Sequence, residues 1–149
     1  MEYEALIHQH FGESVASDWL KGEVSAAKAY GPFVTLYESG LYLRFIETDS
    51  EIVILGLVSD SGKLNRIQSV ALSEWLNELR SKILSGKTIL CNLNLKSHPL
   101  LLRVFRGLGF NFEVLGVDRT DRGAWVGLKF WLPEHLVEKK EQSTSLVGN

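Results

Sequence analysis

The sequence predicts an α/β fold of the α+β type, built around a mixed sheet. Helical patterns come first, followed by three strands, a long helix, a strand, a short helix and two last strands. The third strand is apolar on both faces, as expected of a central strand that is covered on two sides. The strand–helix–strand segment after it requires a crossover connection, which predicts at least one parallel pair beside an antiparallel meander.

Length, composition and charge narrow the class of protein. The 149 residues fit one domain, which we expect to span residues 1–137, with the polar segment 138–149 as a disordered tail. The net charge of −2 gives no general attraction to nucleic acid or to an acidic membrane, so neither is an expected partner. No apolar run approaches the roughly 20 residues that span a bilayer.

Cysteine usage and the N-terminal sequence predict a compartment. Cys91 is the single cysteine and lies in an apolar, strand-like run, so a buried thiol is expected. The N-terminal residues lack the basic-then-apolar pattern of a signal peptide. A reducing, cytoplasmic location is therefore expected.

The N-terminal region has helical periodicity. Residues 2–11 place an apolar stripe on one face of a helix, and Gly12 interrupts the pattern. Ser14 is predicted to cap a second helix, and a third helical piece is expected over Ser25–Tyr30, before Gly31-Pro32 breaks the pattern.

Three strands and their turns are predicted next. Their patterns cover Phe33–Tyr37, Leu41–Ile46 and Glu51–Val58. Glu38–Gly40 predicts a tight turn between the first two strands. Gly56, inside the third strand, indicates a bulge or a close backbone approach.

The second half of the chain alternates helices and strands. A long helix is predicted from about Asn65 to Leu84 and ends at Gly86. A strand over Lys87–Leu93 follows, and a short helix then begins at Pro99 and ends at Gly107 or Gly109. The last two strands, Phe112–Asp118 and Ala124–Leu132, form a predicted hairpin.

This order of elements resembles the fold of the GNAT superfamily of acyltransferases over about residues 2–132. In that family a bulged central strand leads into a loop that holds acyl-CoA pyrophosphate, and a second parallel strand splays away to make room for pantetheine. A short helix ends in a Gly-Phe pair, as at Gly109-Phe110 here. The resemblance implies a GNAT-like mixed sheet with an antiparallel meander, splayed central parallel strands and flanking helices.

The same resemblance implies an N-acyltransferase that uses acetyl-CoA to acylate the amine of a small molecule or a protein. It assigns cofactor contacts to the end of the third strand and the following loop. The residues concerned are Leu57, Val58, Gly62, Lys63, Asn65 and Arg66.

The predicted pyrophosphate loop departs from the family motif. A pyrophosphate needs backbone N–H groups that converge at a helix N-terminus, and the family exposes them with small residues. Here Arg66 and Gln68 stand at two small-residue positions, Gly62 is the only glycine of the loop, and Asp60 adds a repulsive charge. The alternative interpretation of this segment is a solvated turn with a helix cap.

The catalytic positions also differ from the family pattern. Many members have a tyrosine that protonates the leaving thiolate, and Phe105 stands there in this chain. His98 corresponds to the family's asparagine, so the resemblance makes it a candidate catalytic residue that faces the cleft, with a cap of the short helix as the alternative. Glu47 and Glu51, which flank the turn into the third strand, are candidate general bases, with an ordered water as the alternative. No spacing of Cys, His and carboxylate residues predicts a metal site.

A second hypothesis is a non-catalytic relative that uses the same scaffold for binding or for virion assembly. Small GNAT-like proteins of short-tailed phages are similar, with a Ser-Gly-Lys loop in place of the glycine-rich motif, as at Ser61–Lys63. This resemblance implies a protein partner and a location in the host cytoplasm or the virion. The sequence leaves both hypotheses open.

Overall fold

The computed structural model describes residues 2–84, 86–94, 103, 106–107, 109–120 and 123–131. Its elements are α1 (Glu2–Tyr30), β1 (Val34–Glu38), β2 (Leu41–Glu47), β3 (Glu51–Ser59), α2 (Arg66–Leu84), β4 (Thr88–Asn94), β5 (Asn111–Thr120) and β6 (Gly123–Trp131). The predicted order of these elements is confirmed. The short helix after β4 is described only at residues 103, 106 and 107, and the 138–149 tail lies outside the described residues.

The described strands form one mixed, six-stranded sheet in the order β1-β2-β3-β4-β6-β5. β3 and β4 run parallel, and the other neighbouring strands are antiparallel. The predicted mixed sheet, with a meander that leads into a parallel pair, is therefore confirmed.

The two parallel strands pair over only part of their length. Glu51–Ile54 of β3 is in register with Thr88–Cys91 of β4. Beyond these residues, β3 stays paired with β2 as far as Ser59, and β4 stays paired with β6 as far as Asn94. The carboxyl ends of β3 and β4 thus diverge, and the predicted splay of the central strands is confirmed.

A β-bulge marks the start of this divergence. The register between β2 and β3 slips by one residue, which leaves Leu55 without a partner on β2. At the next position, a Cβ on Gly56 would lie 2.3 Å from the Tyr3 hydroxyl oxygen and 2.6 Å from the Trp19 ring. The bulge that Gly56 indicates is confirmed, and the close approach at this glycine comes from two side chains of α1.

Hydrophobic clusters cover the two faces of the sheet. One cluster packs α2 against β2, β3, β4 and β6 and includes Leu72, Leu76, Leu79, Ile52, Ile54 and Phe130. The other packs α1 against β2 and β3 and includes Tyr3, Ile7, Ala16, Trp19, Tyr42 and Val58. Cys91 is buried, as predicted, and its burial raises the pKa of the thiol.

The N-terminal helices differ in one respect from the prediction. Gly12 breaks α1 with φ of 83° and ψ of 165°, as expected, but the helix then runs unbroken to Tyr30. The prediction of a separate helix over Ser25–Tyr30 is wrong because Gly12 is the only residue of α1 with non-helical backbone angles.

No helix in the described part of the chain is long and apolar enough to cross a membrane.

Candidate functional site

The divergence of β3 and β4 opens a slot between two strand edges. Alternate residues of a strand direct their N–H and C=O groups to opposite sides. Roughly half of the backbone groups of Leu55–Ser59 therefore face the slot, while the others pair with β2. An extended ligand can add to such an edge by main-chain hydrogen bonds. Leu57 and Val58, two of the predicted cofactor contacts, lie on this stretch of β3.

A cavity of about 850 Å³ adjoins the slot. Residues from α1, β3, β4, β5 and β6 form its walls, among them Trp19, Glu23, Tyr30, Val53, Leu55, Leu90, Asn92, Leu115, Val117 and Trp125. Small-molecule sites typically enclose roughly 300–1,000 Å³ and are lined mostly by apolar side chains with few polar groups. The volume of this cavity and its mostly apolar lining are both within the range that is typical of small-molecule sites.

Glu23 organises a buried polar network in the cavity wall. Its carboxylate accepts hydrogen bonds from the Tyr3 hydroxyl at 2.5 Å and from Trp19 Nε1 at 3.0 Å. Its other oxygen, Oε1, accepts from Arg44 Nη1 at 2.8 Å. Trp19 Nε1 also donates to the Leu55 carbonyl at 3.1 Å. The indole is thus fixed between a buried carboxylate and the bulge of β3.

Burial makes these charges interdependent. Arg44 is 6% exposed and Glu23 is 3% exposed, so removal of Arg44 would leave the buried Glu23 carboxylate without its counterion. Arg44 has a second carboxylate partner, because its Nη2 also donates to Glu4 Oε1 at 3.1 Å. The Arg44 guanidinium also lies over the Tyr3 ring, 3.9 Å from its centroid. Burial, together with the neighbouring Glu23 carboxylate, raises the pKa of Tyr3 well above its usual value.

Sequence reasoning missed this network, although a signal for it exists. Arg44 is the only charge within the apolar run of β2, and a charge on a buried strand requires a partner. Trp19 and Glu23 are four residues apart, which places them on the same face of a helix. The pairing of β2 with α1 is a tertiary contact, and the sequence pattern alone does not reveal it.

The loop predicted to hold pyrophosphate leads into a closed helix cap. Asn65 Oδ1 accepts the backbone N–H of Gln68 at 2.8 Å, and Gln68 Oε1 accepts the backbone N–H of Asn65 at 3.1 Å. The Gln68 side chain is fully buried, and its Nε2 donates to the Ser39 carbonyl at 2.9 Å and to Asp60 Oδ1 at 3.1 Å. This reciprocal arrangement is a capping box, and it occupies N–H groups at the start of α2.

The rest of the loop offers two cations, and the capping box leaves the backbone N–H groups of Arg66 and Ile67 without a hydrogen bond to another described residue. Gly62 has a φ of 77°, and its N–H donates to the Ser59 carbonyl at 3.2 Å. His10 Nε2 lies 3.0 Å from that same carbonyl oxygen, so α1 contacts the loop. Lys63 and Arg66 are exposed, and neither side chain has a hydrogen bond or ion pair to another described residue. An anion at this loop would therefore meet these two side chains and the first two N–H groups of α2.

The predicted general bases lie at the other end of β3. Glu47 accepts from Lys82 Nζ and from Lys87 Nζ, each at 2.6 Å, and these bonds hold the pKa of Glu47 below its usual value. Glu51 is the first residue of β3. Neither glutamate is among the described residues that line the cavity. His98 lies outside the described residues, and its predicted role stays a prediction.

The strand arrangement around the slot identifies the fold of the chain. An antiparallel meander feeds a bulged central strand, a parallel neighbour diverges immediately after the bulge, and a hairpin completes the sheet. The chain has a GNAT-like fold.

Among its described residues, no group of three or more His, Cys, Asp or Glu side chains is arranged to hold a metal ion.

Comparison with known proteins adds structural likeness only. No family model matches the sequence, and no curated protein matches it. A Bacillus subtilis acetyltransferase in complex with CoA is 14% identical, with 76% of this chain and 84% of that chain covered and a TM-score of 0.47. A GNAT-family acetyltransferase of Desulfovibrio desulfuricans is 15% identical over 85% of this chain and 89% of that one, with a TM-score of 0.48.

A third similar structure is an aminoglycoside 6′-acetyltransferase of type Ii. It is 15% identical, with 85% of this chain and 84% of that chain covered and a TM-score of 0.47. The GNAT-like fold of this chain follows from its own strand order and strand divergence. A shared fold does not by itself fix the function of a protein.

Proposed function

We propose that this GNAT-like protein is an N-acyltransferase that transfers an acyl group from acyl-CoA to an amine. One observation carries the proposal, namely that the slot between β3 and β4 opens directly onto the cavity. Leu55 and Asn92 each begin a diverging strand end, and both line the cavity. A thioester in the slot and an amine in the cavity would therefore meet at these two residues.

The slot fits the pantetheine arm of CoA better than the loop fits its diphosphate. The arm is a narrow, extended chain with amide groups, and the strand edges at Gly56–Val58 and Asn92–Asn94, which are not paired with each other, suit it. The diphosphate would find the N–H groups of Asn65 and Gln68 already bonded within the cap. Its binding would depend on the side chains of Lys63 and Arg66 and on the N–H groups of Arg66 and Ile67.

The reaction follows from this placement. CoA supplies an activated thioester, whose carbonyl carbon is attacked by the amine nitrogen; the C–N bond forms, the C–S bond breaks, and the thiol leaves with a proton. Backbone N–H groups of Leu55–Ser59 that face the slot would stabilise the carbonyl oxygen as negative charge develops there. These groups are held in place by β2, so they would need little rearrangement during the reaction.

Proton transfer is assigned to water in this proposal. Glu23 already accepts three hydrogen bonds, so its part is to hold Trp19 against the bulge. Glu47 and Glu51 lie at the far end of β3, and Phe105 has no proton to return to the thiolate.

A second candidate function is binding or assembly without catalysis, including a role in a virion. The capping box favours it, because the N–H groups of Asn65 and Gln68 are bonded within the cap and are not available to a diphosphate. In this case the slot and cavity are retained features of the scaffold, and a protein partner is expected.

Thermal unfolding in acetyl-CoA separates the two candidates. A ligand at about 100 times its dissociation constant adds roughly 2.7 kcal/mol to the free energy of unfolding, which corresponds to several degrees in Tm. We expect such a shift for the native chain and a smaller one for the double variant Lys63→Ala, Arg66→Ala. Lys28→Ala, on the exposed last turn of α1, is the matched control and should retain the full shift. No shift at millimolar acetyl-CoA would overturn the enzyme proposal in favour of the second candidate.

A further inference from the structure

We propose that the cavity binds a primary amine carried on an aromatic or bulky apolar body, and that it disfavours polycations. The inference names the acceptor class of the enzyme and to that extent depends on the proposed function. It is argued from the cavity walls, which are independent of the loop that would bind the acyl donor.

The walls are mostly aromatic and aliphatic. Three aromatic side chains come from two elements, with Trp19 and Tyr30 on α1 and Trp125 on β6. Aliphatic side chains complete the described lining, namely Val53, Leu55, Leu90, Leu115 and Val117. Aromatic rings favour aromatic ligands through offset or edge contacts in addition to burial of apolar area.

Charge is scarce in the same lining. Asp18, Lys21 and Glu23 are its charged members among the described residues. Glu23 is already paired with Arg44 at 2.8 Å. Asp18 and Lys21 carry opposite charges, so they give no net attraction for a cation. A polyamine or an amino sugar would have to leave several ammonium groups without counterions, and burying such groups is costly.

Asn92 gives the cavity an oriented polar end. It lies on β4 directly after the last residue paired with β3, and it is exposed to the cavity. A side-chain amide at the edge of an apolar pocket fixes the orientation of a ligand. The amino group is therefore expected near Asn92 and Leu55, where the slot begins, with the apolar body along the aromatic walls.

Titration calorimetry without an acyl donor tests the inference directly. The probes are 2-phenylethylamine and tryptamine, compared with spermidine and kanamycin. We expect saturable binding of the two aromatic amines that is at least tenfold tighter than that of the two polycations. Equal or tighter binding of spermidine or kanamycin would overturn the inference, and so would no binding of either aromatic amine.

A pair of valines on β5 supplies matched variants. Val117 lines the cavity and is 54% exposed, whereas Val114 is 51% exposed and is not among the lining residues. Val117→Asn should weaken binding of 2-phenylethylamine about tenfold, because loss of a valine contact is worth roughly 1.5 kcal/mol. Val114→Asn should leave it within about twofold. Equal effects of the two substitutions would place the amine outside this cavity and overturn the inference.

The outcome does not depend on the proposed acyl transfer. If the aromatic amines bind as expected but acetyl-CoA gives no thermal shift, the cavity is a ligand site and the enzyme proposal fails. If acetyl-CoA binds and polycations are the preferred amines, the enzyme proposal stands and this inference fails.

Discussion

Trp19 Nε1 donates to the backbone carbonyl of Leu55 over 3.1 Å, and this bond ties the N-terminal helix to the bulge of the central strand. The same N–H lies 3.0 Å from Glu23 Oε2, so one donor serves both a buried carboxylate and the bulged residue. Because β3 and β4 separate at the bulge, this contact links the packing of α1 to the place where the slot opens.

Trp19→Phe should lower the free energy of unfolding by about 1–3 kcal/mol, since it leaves Glu23 and the Leu55 carbonyl with one donor fewer. Urea unfolding followed by circular dichroism measures the loss. Trp75→Phe on α2 is the control, because that half-buried indole has no hydrogen bond to the described residues. A larger loss in the control would show that indole size, and not the bond to Leu55, determines the effect.

Gly56→Ala should destabilise the fold by about 1–3 kcal/mol through overpacking. The added Cβ would lie 2.3 Å from the Tyr3 hydroxyl and 2.6 Å from the Trp19 ring, which forces both side chains off the sheet. Gly22→Ala is the control, because that helical position has no neighbouring atom within 4 Å and should gain about 0.4–1 kcal/mol. Chemical unfolding of both variants checks the prediction, and a neutral Gly56→Ala would contradict the close approach.

Gln68→Ala should cost about 1–3 kcal/mol, because the buried amide holds a cap and two further partners. The Asn65 N–H, the Ser39 carbonyl and the Asp60 carboxylate each lose a hydrogen bond. Ser73→Ala, an exposed position farther along α2, should stay within about 0.5 kcal/mol of the native chain. If the two substitutions have the same small effect in thermal unfolding, the cap does not close the helix N-terminus as described.

The pH dependence of stability should include a contribution from Glu47. The two lysine bonds lower the folded-state pKa of Glu47 below the usual 4.5, so the contribution is complete above the unfolded pKa and is lost as the pH falls through the folded one. The free energy of unfolding of the native chain should therefore decrease more steeply below about pH 4.5 than that of Glu47→Gln. Parallel curves for the two proteins between pH 6 and pH 3 would contradict the pairing with Lys82 and Lys87.

Local patterns in the sequence were enough to predict most of the helices and strands and their order. The β-branched runs and turn glycines predict the strands within one residue at most ends, and the apolar faces of β3 predict a central strand. Gly56 signals the bulge and the close contact, because a missing side chain within a strand needs a reason. Helix over Ser25–Tyr30 was predicted, but its continuity with the preceding helix was not, because the sequence pattern did not exclude a break before Ser25.

The site was less predictable because it depends on long-range contacts. The helix cap was one of two interpretations of the loop, and the structure has a capping box there. The further bonds of Gln68 to Ser39 and Asp60 are tertiary contacts that the local pattern does not reveal. The partners of Glu23 lie on α1 and β2, and only Trp19, four residues away, is brought near it by spacing along the chain. Glu47 is a plausible base by position in the sequence, yet its lysine partners come from the end of α2 and the start of β4.

A titration of the labelled protein with acetyl-CoA, followed by backbone amide NMR, tests the central claim most directly. If the diverging ends of β3 and β4 hold the acyl donor, the largest saturable shifts will fall on Leu55–Ser59 and Asn92–Asn94. The paired halves, Glu51–Ile54 and Thr88–Cys91, will change little. Shifts confined to surfaces away from the slot, or none at millimolar acetyl-CoA, would contradict the account.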